Sequence, residues 1–247
     1  MKYWVLIVAY LSLSLSGFAQ ERADFKALKK FYKRLASQSS PLRFIQASDG
    51  LGEWQQIALI RHGKPIIARE GWFSLAEARQ FIKDYDQTSV ALFDAPPFAL
   101  APQELSYIYS SPLSRSRHTA SLIFGDTLKR LIRQDFREFE RRIIGIPWVA
   151  LPIKVWLVPA RLFWILGLNQ KGIESYREAK ARSRQVADFL SQDAQAQGKT
   201  LLVSHGFLNK SLASDLQKIG WVKVHDGGKG YLSVKVFCKK RPRASDK

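Results

Sequence analysis

The stretch Gln56-Ile57-Ala58-Leu59-Ile60-Arg61-His62-Gly63 decides the fold. Its apolar, partly β-branched run predicts a buried strand that stops at an Arg-His-Gly triplet. The stretch Thr200-Leu201-Leu202-Val203-Ser204-His205-Gly206 repeats this arrangement, and residues 107–115 form a third strand-like segment that ends at a turn and an arginine. Strands that end in polar residues predict an open α/β sheet, because ligands of such sheets bind beyond the carboxyl ends of the strands.

Three pieces of this pattern resemble the histidine phosphatase superfamily, which has the phosphoglycerate-mutase-like fold. They are Leu59-Ile60-Arg61-His62-Gly63, the Ser-x-Leu-x-Arg-x-x-x-Thr-Ala pattern over residues 111–120, and Val203-Ser204-His205-Gly206. The pieces occur in the family's order, and the resemblance extends over residues 56–221. It implies a three-layer α/β/α sandwich with a mainly parallel sheet.

The resemblance also implies a role for each of four residues. His62 would attack phosphorus to form a phosphohistidine, which water would then hydrolyse. Arg61, Arg115 and His205 would hold the phosphoryl oxygens, a task that suits arginine because its planar fork makes two charge-assisted bonds to one phosphate. No metal or other cofactor is expected.

The leaving oxygen needs a proton donor, and two carboxylates are candidates. One branch of the superfamily carries an Asp after its second histidine, where this sequence has Gly206. The other branch uses a Glu in the segment after the second arginine, where this chain has residues 135–140. Glu138 matches the family's Leu-x-Glu position and is the predicted general acid. Glu140 is the alternative, and both could be solvated carboxylates.

Three further residues have open interpretations. Lys64 lies in the loop after Gly63 and either touches a substrate anion or is solvated. Glu174, with Arg182, either supports the site from behind or belongs to an exposed, salt-bridged helix. His118 lies on roughly the face of Arg115 but matches no catalytic position of the family, so it is interpreted as a surface or packing residue.

The composition describes a globular chain with one unusual feature, its charge. The 247 residues, 46% of them hydrophobic, are enough for one α/β domain. A net charge of +18 predicts attraction to polyanions, including phosphate esters and acidic membrane surfaces. The basic tail over residues 239–243 is predicted to be solvated, and no nucleic-acid partner is expected. One cysteine and four dispersed histidines give no zinc-binding pattern.

The N-terminus has the parts of a secretory signal over residues 1–20: a positive start, an apolar centre and small residues before the cleavage region. The protein is therefore expected to be exported, periplasmic or secreted, with an uncleaved anchor as the alternative. Residues 21–247 are predicted to form one domain. It would begin with a basic amphipathic helix over residues 21–37, packed across the domain or docked on a membrane.

Residues 143–168 depart from the family and are strongly apolar. We predict an inserted cap over about residues 139–170, and three interpretations of it remain open: a cap folded over the site, a Trp-rich surface that dips into the lipid interface, or a membrane span. Three prolines, Lys154 and Arg161 count against a span, because a central charge costs roughly 2.5 to 3.5 kcal/mol on insertion.

Three other elements are predicted along the chain. A helix should begin at Ser74, with a Ser-x-x-Glu capping box to Glu77. A long helix is expected over residues 173–196, and residues 231–237 are expected to form an alternating edge strand.

The predicted activity is metal-independent hydrolysis of phosphomonoesters, with phosphorylated small molecules or lipids as substrates and peripheral contact with an anionic membrane. The alternatives are a phosphomutase and a non-catalytic exported protein that binds anions or membranes. The sequence gives no oligomeric state.

Overall fold

The computed structural model describes residues 2–38, 40–126 and 128–241. In chain order the helices and strands of these residues are α1 (Lys2–Ser37), β1 (Trp54–Arg61), β2 (Trp72–Phe73), α2 (Leu75–Gln87), β3 (Tyr107–Ser110), α3 (Ser114–Phe124), β4 (Lys129–Ile132), β5 (Leu151–Pro152), α4 (Ile153–Ile165), α5 (Tyr176–Gln197), β6 (Lys199–Ser204), α6 (Gly206–Lys218), β7 (Val222–Asp226) and β8 (Val234–Lys240). The predicted basic tail is described only as far as Arg241.

Six strands form the central sheet in the order β4-β3-β6-β1-β8-β7. Strands β4, β3, β6 and β1 are mutually parallel, whereas β8 runs antiparallel to both of its neighbours. The mainly parallel α/β sheet predicted from the sequence is therefore confirmed.

Strand β1 shows why helices cover both faces of the sheet. Ile57 and Leu59 are fully buried in the core that includes α5 and α6, whereas Ala58 and Ile60 are fully buried in the core that includes α1 and α3. Successive side chains of a strand point to opposite faces, so an apolar run without alternation requires cover on both sides. The result is a three-layer α/β/α sandwich.

The strand register brings the polar strand ends together. Arg61 pairs with Ser204 between β1 and β6, and Ser110 pairs with Val203 between β3 and β6. Because these strands are parallel, the residues that follow them meet at one edge of the sheet.

Helix α1 is continuous across the predicted signal boundary, and the helix predicted over residues 21–37 forms its C-terminal part. Leu28 and Tyr32 are fully buried, and the Tyr32 hydroxyl donates to the Arg43 carbonyl at 3.1 Å. This part of α1 therefore packs across the domain. The signal peptide stays a prediction, and its first residue lies outside the described residues.

The apolar segment after Glu140 folds as an insertion beside the sheet. Strand β5 pairs with β2, and α4 buries Ile153, Trp156 and Ala160 against α2. Helix α2 begins with the predicted capping box between Ser74 and Glu77. No helix of the described residues is both long enough and apolar enough to cross a membrane.

Two predicted elements are wrong in their bounds or position. Helix α5 begins at Tyr176, not at residue 173, because Ser175 is its N-cap and accepts from Glu178 N at 3.2 Å. Strand β8 begins at Val234 and lies between β1 and β7, so β7 is the edge strand. The alternation that suggests an edge is incomplete, since Val236 and Phe237 are both fully buried on opposite faces.

Candidate active site

His62 directly follows β1, and one hydrogen bond fixes its ring. Its Nδ1–H donates to the Gly63 carbonyl oxygen at 2.8 Å. A carbonyl oxygen can only accept, so this contact assigns the proton to Nδ1 and leaves the lone pair on Nε2. The ring is buried and carries a nitrogen that can act as a nucleophile.

His205 follows β6 and lies directly behind His62, with ring centroids 5.2 Å apart. Its Nε2 contacts the Ser111 hydroxyl at 2.7 Å and the Ser116 hydroxyl at 3.3 Å. The ring is fully buried, and Nδ1 has no hydrogen-bond partner among the described residues.

Both rings are held in the neutral form. Burial, together with the positive charges of Arg115 and Arg61, lowers the pKa of His62 from 6.5 to about 3, although the hydrogen bond to Gly63 acts in the opposite direction. Burial and the charge of Arg115 also lower the pKa of His205 well below its usual value. A neutral imidazole is the form that can attack phosphorus.

Arg115, in the first turn of α3, has only 1% of its side chain exposed. Its Nη1 donates to the Tyr85 carbonyl at 2.6 Å and to Asp86 Oδ1 at 3.1 Å, and its guanidinium lies 4.4 Å from the centre of the Tyr85 ring. These contacts come from the C-terminal end of α2 and hold a buried cation beside His62.

Arg61, the last residue of β1, is held by the loop between β7 and β8. Its guanidinium lies 4.5 Å from the centre of the Tyr231 ring and donates to the Lys229 carbonyl. The Tyr231 ring also packs on His62, with centroids 5.7 Å apart. Arg61 and Tyr231 thus cover the same side of His62.

Arg61, His62 and Arg115 line one cavity of about 1260 Å³. Its wall carries further cations, among them Arg69, Arg137, Arg141 and Lys229, and an apolar side formed by residues such as Phe81, Ile82, Leu157 and Phe207. His205 does not line the cavity, and its side chain is fully buried next to His62.

Four buried nitrogen atoms at or next to this cavity lack a partner among the described residues. They are Nε of Arg61, Nε of Arg115, Nε of Arg141 and Nδ1 of His205. Buried polar groups without partners are rare and costly in proteins. The three guanidinium nitrogens are donors, and unsatisfied donors around a cationic cavity indicate a site for an anion.

Glu138 also lines the cavity, at the N-terminus of α6. Its Oε2 accepts from Phe207 N at 3.1 Å and its Oε1 accepts from Leu208 N at 3.0 Å. These bonds tie the carboxyl group to the helix turn that follows His205. Glu140 lines the cavity too, but its Oε2 accepts from Glu174 N at 2.6 Å.

The model of the histidine phosphatase superfamily (branch 1) matches residues 57–241. The chain belongs to this family. The matched region contains all six strands of the central sheet except the first three residues of β1, together with every cavity residue named above.

Solved structures of the histidine phosphatase type resemble the chain at low sequence identity. Mycobacterial hydrolase 2 is 21% identical, with 79% of this chain and 86% of that one covered and a TM-score of 0.45. Phosphoserine phosphatase from Entamoeba histolytica, in complex with 3-phosphoglyceric acid, is 20% identical over 73% and 89%, with a TM-score of 0.39. Alpha-ribazole phosphatase from Shigella flexneri is 19% identical over 67% and 80%, with a TM-score of 0.39. No curated protein sequence matches the chain at a significant level.

The three residues whose interpretation the sequence left open, Lys64, Glu174 and His118, lie outside the cavity of this superfamily member. Lys64 is exposed and does not line the cavity wall. Glu174 lies behind the site in a buried ion pair with Arg182, and its Oε1 also accepts from Arg137 at 3.3 Å. His118, near the middle of α3, contacts the Ser89 hydroxyl and Val90 N and does not line the cavity.

The sequence does not indicate several cavity residues, among them Arg69, Tyr85, Asp86 and Tyr231. Tyr85 and Asp86 lie in the last turn of a helix that carries no local sign of a site, and the alternating pattern over residues 231–237 places Tyr231 in a strand. Ser111 belongs to a motif that does not by itself identify it as a partner of His205. The one available signal was this Ser-x-Leu-x-Arg motif, which places a hydroxyl four residues before Arg115.

Proposed function

We propose that the protein hydrolyses phosphate monoesters through a phosphohistidine at His62. The observation that carries this proposal is the pair of unpartnered buried donors on Arg61 and Arg115 beside a neutral imidazole whose Nε2 is free. A dianionic phosphoryl group would satisfy those donors. Binding alone would not need a nucleophile held in its neutral form among cations.

In the first step His62 Nε2 attacks phosphorus, the P–N bond forms and the P–O bond to the alcohol breaks. Arg61 and Arg115 neutralise the charge on the equatorial oxygens, which is the main task in phosphoryl transfer. In this proposal His205 also binds a phosphoryl oxygen. That oxygen must replace the Ser111 hydroxyl as the partner of His205 Nε2, since Nε2 already contacts this hydroxyl.

Glu138 is the proposed proton donor to the leaving alcohol. In the second step its carboxylate takes a proton from water, which attacks phosphorus and breaks the P–N bond, so that phosphate and the starting forms of both residues are restored. The position of the carboxyl group favours Glu138 over Glu140. Backbone donors hold the carboxyl group of Glu138 at the turn after His205, whereas the backbone donor of Glu140 is Glu174 N, beside the ion pair with Arg182.

The cations supply the positive charge that the reaction needs, so the proposed reaction requires no metal. The proposed substrates are phosphorylated small molecules or lipids. The cavity supports this range because it combines a cationic end with the apolar side formed by Phe81, Ile82 and Leu157, and its volume exceeds that of a phosphate group many times.

Hydrolysis of para-nitrophenyl phosphate in the presence of a chelator tests the nucleophile. The wild type and His118→Asn, a matched change of a histidine outside the cavity, should turn over, and His62→Ala should not. Acid-labile phosphate should be trapped on the wild type and on His118→Asn, but not on His62→Ala. Turnover by His62→Ala would refute the assignment, and absence of turnover in every form, with phosphate still bound, would favour a non-catalytic anion-binding protein.

A comparison of leaving groups separates the two carboxylates. Nitrophenolate leaves without a proton, whereas an alkoxide needs one. Glu138→Gln should therefore lose far more activity on an alkyl phosphate than on para-nitrophenyl phosphate. Glu140→Gln is the matched control and should lose little on either substrate; the reverse pattern would make Glu140 the donor.

A further inference from the structure

Helix α4 has two apolar faces, and only one of them is covered. The inner face, with Ile153, Trp156 and Ala160, packs on α2. The opposite side exposes Val155, Val158, Leu162, Phe163 and Leu166, which we call the outer face. Val158 has 68% of its surface exposed and Leu162 has 53%. Within the described residues nothing covers this face.

The loop before β5 also carries exposed apolar side chains. The backbone of Gly145 lies directly against the ring of Trp156, so the neighbouring residues Ile144 and Ile146 lie close to α4. Both are exposed, and Trp148 is 85% exposed. Residues 144–168 hold ten of the fifteen large apolar side chains that are exposed in the described part of the chain. Single exposed apolar side chains are common on protein surfaces, but such a concentration of them in one segment is typical of an interaction surface.

Charge identifies the kind of partner. Residues 141–173 contain no Asp or Glu, whereas they contain Arg141, Arg142, Lys154, Arg161 and Lys171. Lys154 is exposed one helical turn before Val158, and Lys171 is exposed after the end of α4. Two copies of this face would bring like charges together, which disfavours a dimer through it. An anionic surface would be attracted instead.

We propose that the outer face of α4 binds the surface of an anionic lipid bilayer. Exposed apolar side chains on a short helix next to lysines have the properties of a segment that lies in the membrane interface. Anionic headgroups attract each Lys or Arg that lies near them. This binding does not depend on the phosphatase activity proposed above.

The same helix belongs to the wall of the cavity. Leu157 lines the cavity, and Arg161 donates to the carbonyl oxygens of Phe139 and Glu140, each at 2.9 Å. A bilayer bound to the outer face would therefore be separated from the cavity only by helix α4, which also supports the segment around Glu138.

Co-sedimentation of the full chain with vesicles tests the proposal. Vesicles of equal parts phosphatidylcholine and phosphatidylglycerol should retain the wild type, and phosphatidylcholine alone should retain much less. Val158→Glu with Leu162→Glu should weaken binding to the anionic vesicles by about tenfold or more, because each side chain leaves the apolar phase and adds a negative charge. Circular dichroism would verify that the variant is folded.

The matched control is Leu92→Glu with Ile132→Glu, which makes the same charge change at two exposed apolar residues elsewhere. This control should keep nearly wild-type binding. Equal loss in both variants would show that net charge alone is responsible, and unchanged binding of the α4 variant would show that another segment, such as the N-terminus, holds the lipid. Either result overturns the proposal, as does a wild type that binds neither vesicle.

One further measurement excludes another occupant of the outer face. Sedimentation velocity without lipid should give the same mass for the wild type and the α4 variant. A wild-type dimer that the variant dissociates, with unchanged vesicle binding, would make the face a contact between copies.

Discussion

Glu174 and Arg182 form an ion pair with two parallel hydrogen bonds, from Nε to Oε1 and from Nη2 to Oε2, both 2.7 Å long. Both side chains are less than 10% exposed. Arg182 Nη1 also donates to the carbonyl oxygens of Asp135 and Arg137, at 2.6 and 3.0 Å. The pair therefore fixes the segment that leads into Glu138.

Breaking this pair should destabilise the protein strongly. Glu174→Ala leaves the Arg182 cation buried and unpaired, which costs about 3 to 5 kcal/mol. Unfolding in urea measures the loss. Arg182→Met in the Glu174→Ala background should restore part of it, because the orphaned charge is gone. A double variant that is as unstable as the sum of the two single variants would contradict this account.

Gly206→Ala should lower activity without lowering stability. A Cβ at position 206 would lie 3.2 Å from Nε and 3.3 Å from Cζ of Arg61. The guanidinium can move, so the fold should tolerate the change and α6 should gain from the better helix former. A displaced phosphate-binding group should reduce kcat/KM on para-nitrophenyl phosphate by about tenfold or more.

The control for this change is Gly230→Ala, because a Cβ there would have no neighbour within 4 Å. It should keep the wild-type kcat/KM. Equal kinetics for Gly206→Ala and the wild type would mean that Arg61 does not bind phosphate from its observed position.

Stability should fall below pH 6.5 because of the buried histidines. The folded-state pKa of His62 is about 3, below its ordinary value of 6.5, so between these limits the unfolded chain binds a proton that the folded chain does not. The stabilising contribution is complete above pH 6.5 and is lost as the pH falls toward 3, at up to about 1.4 kcal/mol per pH unit.

Urea midpoints at about pH 7.5 and about pH 5 measure this loss. The difference between the two midpoints should be smaller in His62→Asn and in His205→Asn than in the wild type, since asparagine does not titrate. If the difference between the two midpoints is as large in both variants as in the wild type, the two histidines are not buried as neutral rings.

Asp86→Asn should strengthen the binding of inorganic phosphate. Asp86 lines the cavity and its carboxylate lies 3.1 Å from Arg115 Nη1, where it opposes an incoming dianion. The Tyr85 carbonyl still holds the guanidinium when Asp86 is neutral. Because Asp86 is half exposed, the inhibition constant of phosphate should fall only a few-fold. A rise would show instead that Asp86 positions Arg115.

Glycine at position 63 has a packing role that no local pattern predicts. A Cβ at Gly63 would lie 3.3 Å from the Val90 side chain, so the residue allows close packing between the β1 end and the loop after α2. The reason is that Val90 is distant in sequence and leaves no local pattern at Gly63.

Local sequence patterns predict the central strands, the capped start of α2 and the delivery of Arg61, His62, Arg115 and His205 to one edge of the sheet. The patterns that predict them are apolar runs, caps and motif spacing. Four other features could be seen only in the folded chain: His205 packs against His62, Glu138 is bonded to the first turn of α6, Glu174 pairs with Arg182, and one face of α4 stays uncovered. Each of these is a contact, or a missing contact, between segments far apart in the chain, and such packing follows from the shape of the whole domain rather than from any short stretch.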